Sequence, residues 1–245
     1  MKKYLLLAFI AVCIGIIIPS KVQATDISIG ATTWYAWWSG GTPEDGDADP
    51  TFLYGPVMSV KFNDDFNLTF VYLHGKHDIA GESEKNGIKY PFKVKFKRSD
   101  ADLALNYRLN DIFKAFGGIK YIDSSITDMF DWYGYGPGFG LSCTLPVAEN
   151  IFLLATLSGF HLWGTDESNN GKGGKDKSNN KSYGANTTLA LAYYIAPAST
   201  TISLGGRYQY LKPNYDEKKD DDGGGKSDAA NFYGVTLTAT YSFSL

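Results

Sequence analysis

From Asn231 to Leu245 the chain alternates almost without error. Tyr233, Val235, Leu237, Ala239, Tyr241, Phe243 and Leu245 fall on one side of an extended backbone, and Thr236, Thr238, Thr240, Ser242 and Ser244 on the other. A period of two belongs to a β-strand, whose successive side chains point to opposite faces, so this segment carries an apolar wall and a hydroxyl wall. The same alternation, cut by turn residues, predicts nine further strands: Asp26 to Trp38, Phe52 to Phe62, Phe66 to His77, Asp100 to Leu109, Ile112 to Ile122, Gly134 to Leu145, Ile151 to Trp163, Tyr183 to Ile195 and Thr200 to Leu211. Each is close to the ~9 to 11 residues that a tilted membrane-crossing strand needs.

The connections alternate in length as well. Asn63 to Asp65, Asn110 to Asp111, Pro146 to Asn150 and Ala196 to Ser199 are tight turns, whereas Ser39 to Thr51, Asp78 to Ser99, Asp123 to Tyr133, Gly164 to Ser182 and Lys212 to Ala230 are long and polar. Short turns at one end and long loops at the other belong to a membrane barrel, with both termini on the short-turn side. A soluble β-sandwich or lipocalin-like barrel would also alternate, but with its apolar residues inside and no need for long loops at one end only. The expected fold is therefore all-β: a transmembrane antiparallel up-and-down β-barrel of ten strands, with eight or twelve as the alternatives.

Faces follow from the phase of each strand. Leu103, Leu105 and Tyr107 oppose Asp102, Ala104, Asn106 and Arg108, and Phe113, Ala115, Ile119 and Tyr121 oppose Lys114, Phe116 and Lys120. The second set in each case is expected to face the lumen, joined by Gly136, Gly138, Gly140, Ser142, Thr144, Ser203, Arg207, Gln209 and Lys61. Higher up, Lys93, Lys95 and Lys97 alternate with Phe92, Val94 and Phe96, which extends that strand above the membrane. The change of phase near Ser99 and Asp100 predicts a β-bulge there.

The N-terminus adds a location. Lys2 and Lys3 precede the apolar run Tyr4 to Pro19, and Val22, Gln23 and Ala24 form a small-residue cleavage site, so residues 1–24 read as a signal peptide removed before Thr25, leaving a single barrel domain from 25 to 245. Cys13 lies inside the apolar run rather than after it and is not a lipidation site. The cleaved chain keeps only Cys143 and can form no internal disulfide. Losing Lys2, Lys3 and Lys21 takes the 23 basic residues to 20 against 26 acidic ones, a balance that does not suit nucleic acid. No stretch beyond the signal approaches the ~18 apolar residues of a membrane helix, so any crossing must be a closed sheet, in which every backbone group is paired.

With its alternating C-terminal strand, 17 Tyr, 15 Phe, 5 Trp and 27 Gly, the chain resembles bacterial outer-membrane β-barrel proteins as a class. Their usual terminal signature ends on an aromatic residue; here Tyr241 and Phe243 precede a final Leu245 with the spacing kept. The resemblance implies residence in the bacterial outer membrane, contact with its lipid and lipopolysaccharide, insertion by the barrel-assembly machinery, and a monomer by default.

Chemistry is harder to find. A ten-strand bore is nearly filled by side chains, which argues against a general porin. Lys61, Asp102, Arg108, Lys114, Lys120, Arg207 and Gln209 are the lumen candidates; they form either a salt-bridge network that plugs the bore or a narrow, mildly basic pore for small anions. His74, His77 and His161 with Asp78, Asp166 and Glu167 invite a rim hydrolase like the omptin proteases or lipid A deacylases. However, no His-x-Ser occurs and no strand carries Asp two residues before a His. Asp45, Asp47 and Asp49 fail as a calcium loop because Pro50 and Pro56 occupy its glycine and glutamate positions. The polar segments 168–181 and 220–225 are expected to be hydrated external loops with at most weak divalent-ion binding. Asn186 matches a glycosylation pattern on a predicted strand and is taken as chance. No catalytic, metal or cofactor site is expected. The leading function is a non-enzymatic barrel, either a narrow pore or a structural surface protein; the alternatives are a loop-mediated adhesin and, last, a rim hydrolase.

Overall fold

The computed structural model describes residues 26–40, 47–85, 88–126, 130–169, 175–214 and 229–244. The expected signal peptide, Asp45, Leu245 and the run 220–225 lie outside them. Ten strands run in chain order: β1 (Asp26–Ser39), β2 (Asp47–Lys61), β3 (Phe66–Lys85), β4 (Ile88–Arg108), β5 (Phe113–Ile126), β6 (Phe130–Ala148), β7 (Ile151–Asn169), β8 (Lys175–Ile195), β9 (Thr200–Asn214) and β10 (Ala230–Ser244). Each pairs antiparallel with its sequence neighbours, and β1 closes on β10 from Asp26↔Ser244 to Ser39↔Asn231. Closure leaves no open edge, which is the condition for a sheet in lipid.

The short turns form as expected. Asn63 accepts backbone N–H bonds from Asp65 and Phe66 through Oδ1, both at 2.9 Å, and Asn110 does the same for Ile112 and Phe113. Such Asx turns let a polar side chain replace a ladder partner where the chain reverses. A short 3₁₀ turn, Ala196–Ala198, joins β8 to β9 with Ser199 in the left-handed region at φ 45°.

The far side differs from expectation. The predicted loops Asp78 to Ser99, Asp123 to Tyr133 and Gly164 to Ser182 are mostly strand: β3 and β4 stay paired up to Lys85↔Ile88, and β7 and β8 up to Asn169↔Lys175. The polar stretch read as a hydrated loop is therefore partly the upper half of β8. Composition misled because a strand whose outer face meets water can be as polar as a loop.

The bulge predicted near Ser99 and Asp100 is also absent. Both ladders of β4 run through that point without a shift in register. What changes is the surroundings. Below, Leu103, Leu105 and Tyr107 face out and Asp100, Asp102 and Asn106 face in; above, Lys93, Lys95 and Lys97 face out and Phe96 is buried inside with Phe92 and Val94 packed behind it. The backbone keeps its phase while the polarity of its two faces exchanges. Register shifts lie elsewhere, at Ala36/Trp38 in the β1–β2 ladder, between Ala48 and Tyr54 in β2–β3, and at Pro146/Ala148 in β6–β7.

This exchange marks the membrane boundary. The exposed apolar band includes Leu105, Ile119, Phe139, Leu141, Leu157, Leu189, Leu191, Leu204, Val235 and Leu237. Aromatic residues bound it, from Phe113 to Tyr121 on β5, Tyr193 to Tyr183 on β8 and Tyr241 to Tyr233 on β10. Those separations span about 26 to 33 Å along a strand. At a tilt of ~40° they give a band ~20 to 25 Å tall, the thickness a lipid core requires. Above it the barrel continues as a water-facing collar.

Leu157 lies midway up β7 and is 62% exposed on the outer wall. Leu157→Arg is expected to cost about 2 to 4 kcal/mol, whereas Thr165→Arg, outward in the collar, costs under ~1 kcal/mol. Urea titration of the barrel refolded into lipid vesicles measures both.

Candidate functional site

Inside the membrane-level barrel, β4 directs Arg98, Asp100 and Asp102 into the lumen at alternate positions, and β5 brings Lys120 opposite Asp102. The partner of Lys120 on β6 is Gly136, where a Cβ would lie 2.0 Å from the His161 carbonyl oxygen, so the absence of a side chain lets β6 and β7 approach closely at this rung. From the opposite wall β9 supplies Arg207 and Gln209.

These groups interlock across the bore. Lys120 Nζ donates to Asp100 Oδ1 at 2.6 Å and to both Asp102 oxygens at 3.0 Å. Arg98 Nη2 donates to Asp100 Oδ2 at 3.4 Å and also to Gln209 Oε1. Arg207 Nη2 stands 3.5 Å from Asp100 Oδ2 and 4.0 Å from Asp102 Oδ2. Each cation also rests on a ring: Arg98 on Phe232 at 3.8 Å, Arg207 on Trp34 at 4.5 Å and Lys120 on Phe160 at 5.3 Å. Three cations against two carboxylates leave a formal charge of +1, spread over aromatic faces that favour it. The side chains of Arg98 and Asp100 are 1% exposed and that of Lys120 3%.

Two compartments flank this plug. Above it Trp34, Trp38, Leu53, Leu73, Ile79, Phe96 and Phe232 pack into an apolar core, and Ile122, Trp132, Phe160, Leu162 and Leu211 form a second cluster. Below it a cavity of about 510 Å³ opens at the short-turn end, lined by Lys61, Arg108, Lys114, Asp26, Ser28 and Ser242 among others. Lys61 is held by Asp64 at 2.9 Å and lies 3.9 Å from Asp26, while Arg108 bonds Asp111. The Lys61 bond holds the Asp64 carboxyl below its ordinary range.

The predicted lumen residues thus fall in two places: Asp102, Lys120, Arg207 and Gln209 meet in the plug, whereas Lys61, Arg108 and Lys114 line the lower chamber. Tyr241 and Phe243 face outward in the lower aromatic girdle with stacked rings 6.1 Å apart. Arg98 and Asp100 were missed, although they continue the inward phase of Asp102. The aromatic partners Trp34, Phe160 and Phe232 come from strands that are not neighbours of β4 or β5, and no local pattern announces them.

The histidines do not converge. His74 faces outward and bonds Ser99 Oγ at 3.0 Å, and His161 faces outward with its ring edge-on to Trp163. His77 alone points inward, fully buried in the collar between Trp38 and Phe96, with Nδ1–H donating to the Asp49 carbonyl at 3.1 Å. Burial holds its pKa below the ordinary value. Asp166, buried inside the collar on upper β7 and bonded by Asn180, is pushed the opposite way by the same cause.

A closed antiparallel sheet with an apolar, aromatic-bounded outer wall and a polar interior defines an integral outer-membrane β-barrel of the bacterial type. The outer membrane protease OmpT from Escherichia coli has the same fold, with a TM-score of 0.52 over 92% of this chain and 98% of its own at 11% identity. Neisserial surface protein A aligns over 89% of this chain and 97% of its own (14% identity, TM-score 0.39), and OprG from Pseudomonas aeruginosa over 91% and 98% (12%, 0.38). No protein-family profile matches the chain, and no curated protein matches it in sequence.

Removing one carboxylate from the plug strands buried cations. Asp100→Asn is expected to destabilise the barrel by about 3 to 5 kcal/mol, whereas Asp111→Asn, which breaks the exposed pair with Arg108, costs under ~1 kcal/mol. Vesicle-based urea unfolding compares them directly. His77 gives a second test. Because its folded pKa lies below the unfolded value near 6.5, the unfolded collar binds the proton more readily, and collar stability falls as pH drops through 6.5. Hydrogen exchange of the upper β3 amides, corrected for intrinsic rate, is expected to accelerate from pH 7.5 to pH 5.5 and to lose that dependence in His77→Phe.

Proposed function

We propose that this chain is a non-enzymatic, non-conducting outer-membrane barrel whose working surface is the collar it holds outside the membrane. The observation that carries the reading is the buried ionic layer spanning the lumen from β4 and β5 to β9, topped by a packed apolar core. An ion crossing the bore would have to displace charges that already pair with one another and then cross an apolar layer, and both steps are costly. The collar supports a display role because, among the described residues, upper β3 pairs with β4 and upper β7 with β8, which holds their outward side chains in a regular lattice. The scattered positions of His74, His77 and His161 support the non-enzymatic reading.

Planar-bilayer recording of the refolded chain from Thr25 to Leu245 tests the proposal. The native barrel is expected to give no discrete conductance steps, and Arg98→Ala/Asp100→Ala/Lys120→Ala, which removes three of the five charges of the ionic layer, to raise baseline leakage. Stepwise anion-selective currents from the native protein, reduced by Lys114→Gln or Lys120→Gln, would overturn it in favour of a narrow pore.

A further inference from the structure

The outer wall of the β3–β4 hairpin carries a column of lysines immediately above the lipid band. In register from the membrane upward, the rungs are His74↔Ser99, Lys76↔Lys97, Asp78↔Lys95 and Ala80↔Lys93. Lys76, Lys93, Lys95 and Lys97 are all exposed. Lys93 pairs with Asp78 at 3.2 Å. Among the described residues, Lys76, Lys95 and Lys97 make no side-chain hydrogen bond or ion pair. The neighbouring acid on β5, Asp123, hydrogen-bonds Tyr121.

Directly opposed like charges destabilise an antiparallel ladder, so Lys76↔Lys97 is a local cost that an anion lying between the two ammonium groups would remove. The height of the column says which anion. Tyr72, at the top of the lipid-facing run on β3, donates to Ser99 Oγ at 3.5 Å, and His74 meets the same oxygen at 3.0 Å. Lys76 lies four residues beyond Tyr72, roughly 10 Å higher on a tilted strand, where the headgroups of the outer leaflet begin. Phe52 and Tyr54, 58% and 61% exposed on the adjoining β2, flank its base as interfacial aromatics do.

We propose that Lys76, Lys95 and Lys97 form a docking surface for phosphate groups on the saccharide headgroup of outer-leaflet lipid, that is, lipopolysaccharide. This rests on the outer-membrane reading of the barrel. A column of ammonium groups spaced along a strand fits a headgroup with phosphates at more than one height better than a single-phosphate glycerolipid, and its long stems let the charges follow the lipid surface.

The test reconstitutes the full chain in zwitterionic phosphatidylcholine vesicles and titrates in lipopolysaccharide truncated to lipid A and inner core, with bound lipid read by native mass spectrometry. Native protein is expected to retain it. The variant Lys76→Gln/Lys95→Gln/Lys97→Gln is expected to lose affinity on the order of 100-fold, given the attraction of each basic side chain to an anionic surface. The corresponding triple arginine variant is expected to restore it. Affinity for the native protein is expected to fall with added salt. Equal retention by the glutamine variant, or equal binding of a dephosphorylated headgroup or of phosphatidylglycerol, would overturn the proposal. Heat-modifiable gel mobility reports insertion separately: failure of the native chain to insert would sink the outer-membrane reading itself, whereas insertion without headgroup retention sinks only this inference.

Discussion

Both ladders of β4 continue in register from lipid into water, and the division of the barrel interior follows from that continuity. A hydrogen-bonded sheet cannot rotate its side chains by half a period at the membrane surface without a bulge, and a bulge would leave backbone groups unpaired in a region where they are expensive. On β4 the chain instead keeps its phase and exchanges its residues: apolar outside and charged inside up to Asp100, charged outside and apolar inside from Lys97 upward. One continuous sheet therefore encloses two interiors, a polar one at membrane height and an apolar one above it. The first resembles a transmembrane barrel and the second a soluble one.

The polar interior has a reason beyond filling space. Were both faces of the membrane-level strands apolar, each strand would be a fully hydrophobic run with high β-propensity, prone to pair with other chains before the barrel closes. Alternation keeps one face compatible with water, but it obliges the closed lumen to bury charge. Arg98, Lys120 and Arg207 meet that obligation by sharing two carboxylates and stacking on Phe232, Phe160 and Trp34. The contacts run between opposite walls, so they also resist flattening of the barrel, which backbone pairing between neighbours does not.

Much of this was legible in the chain itself. Period two at membrane height assigns the inward faces of Asp102, Arg108, Lys114, Lys120, Arg207 and Gln209 because lipid imposes a strict contrast between the walls. Ten strands and closed antiparallel order follow from the alternating connections. The collar was not legible for a physical reason: when the outer solvent changes to water, a strand face turns polar and takes on the composition of a loop, as in 175–181. Phe92 to Arg98 kept its alternation, yet the exchange of faces looks the same as a bulge when only polarity is read. Which residues meet across the lumen was beyond reach as well, because Asp100 and Arg207 belong to strands with no shared ladder and their proximity depends on barrel closure.

The order of the two interiors bears on how such a barrel could ever open. A charged layer alone could be rearranged by entering water, since the Asp102 side chain is already 37% exposed and Lys120 could follow one carboxylate as it moves. The apolar core above resists differently: Trp34, Trp38, Phe96 and Phe232 are packed against one another with ring centroids 4.4 to 6.5 Å apart, and separating them exposes aromatic surface. The ionic layer, 1% to 3% exposed at Arg98, Asp100 and Lys120, is thus covered by rings that also carry its cations, and Phe232 and Trp34 belong to both layers. Loosening either layer weakens the other, which makes the closed lumen a cooperative unit rather than two gates in series.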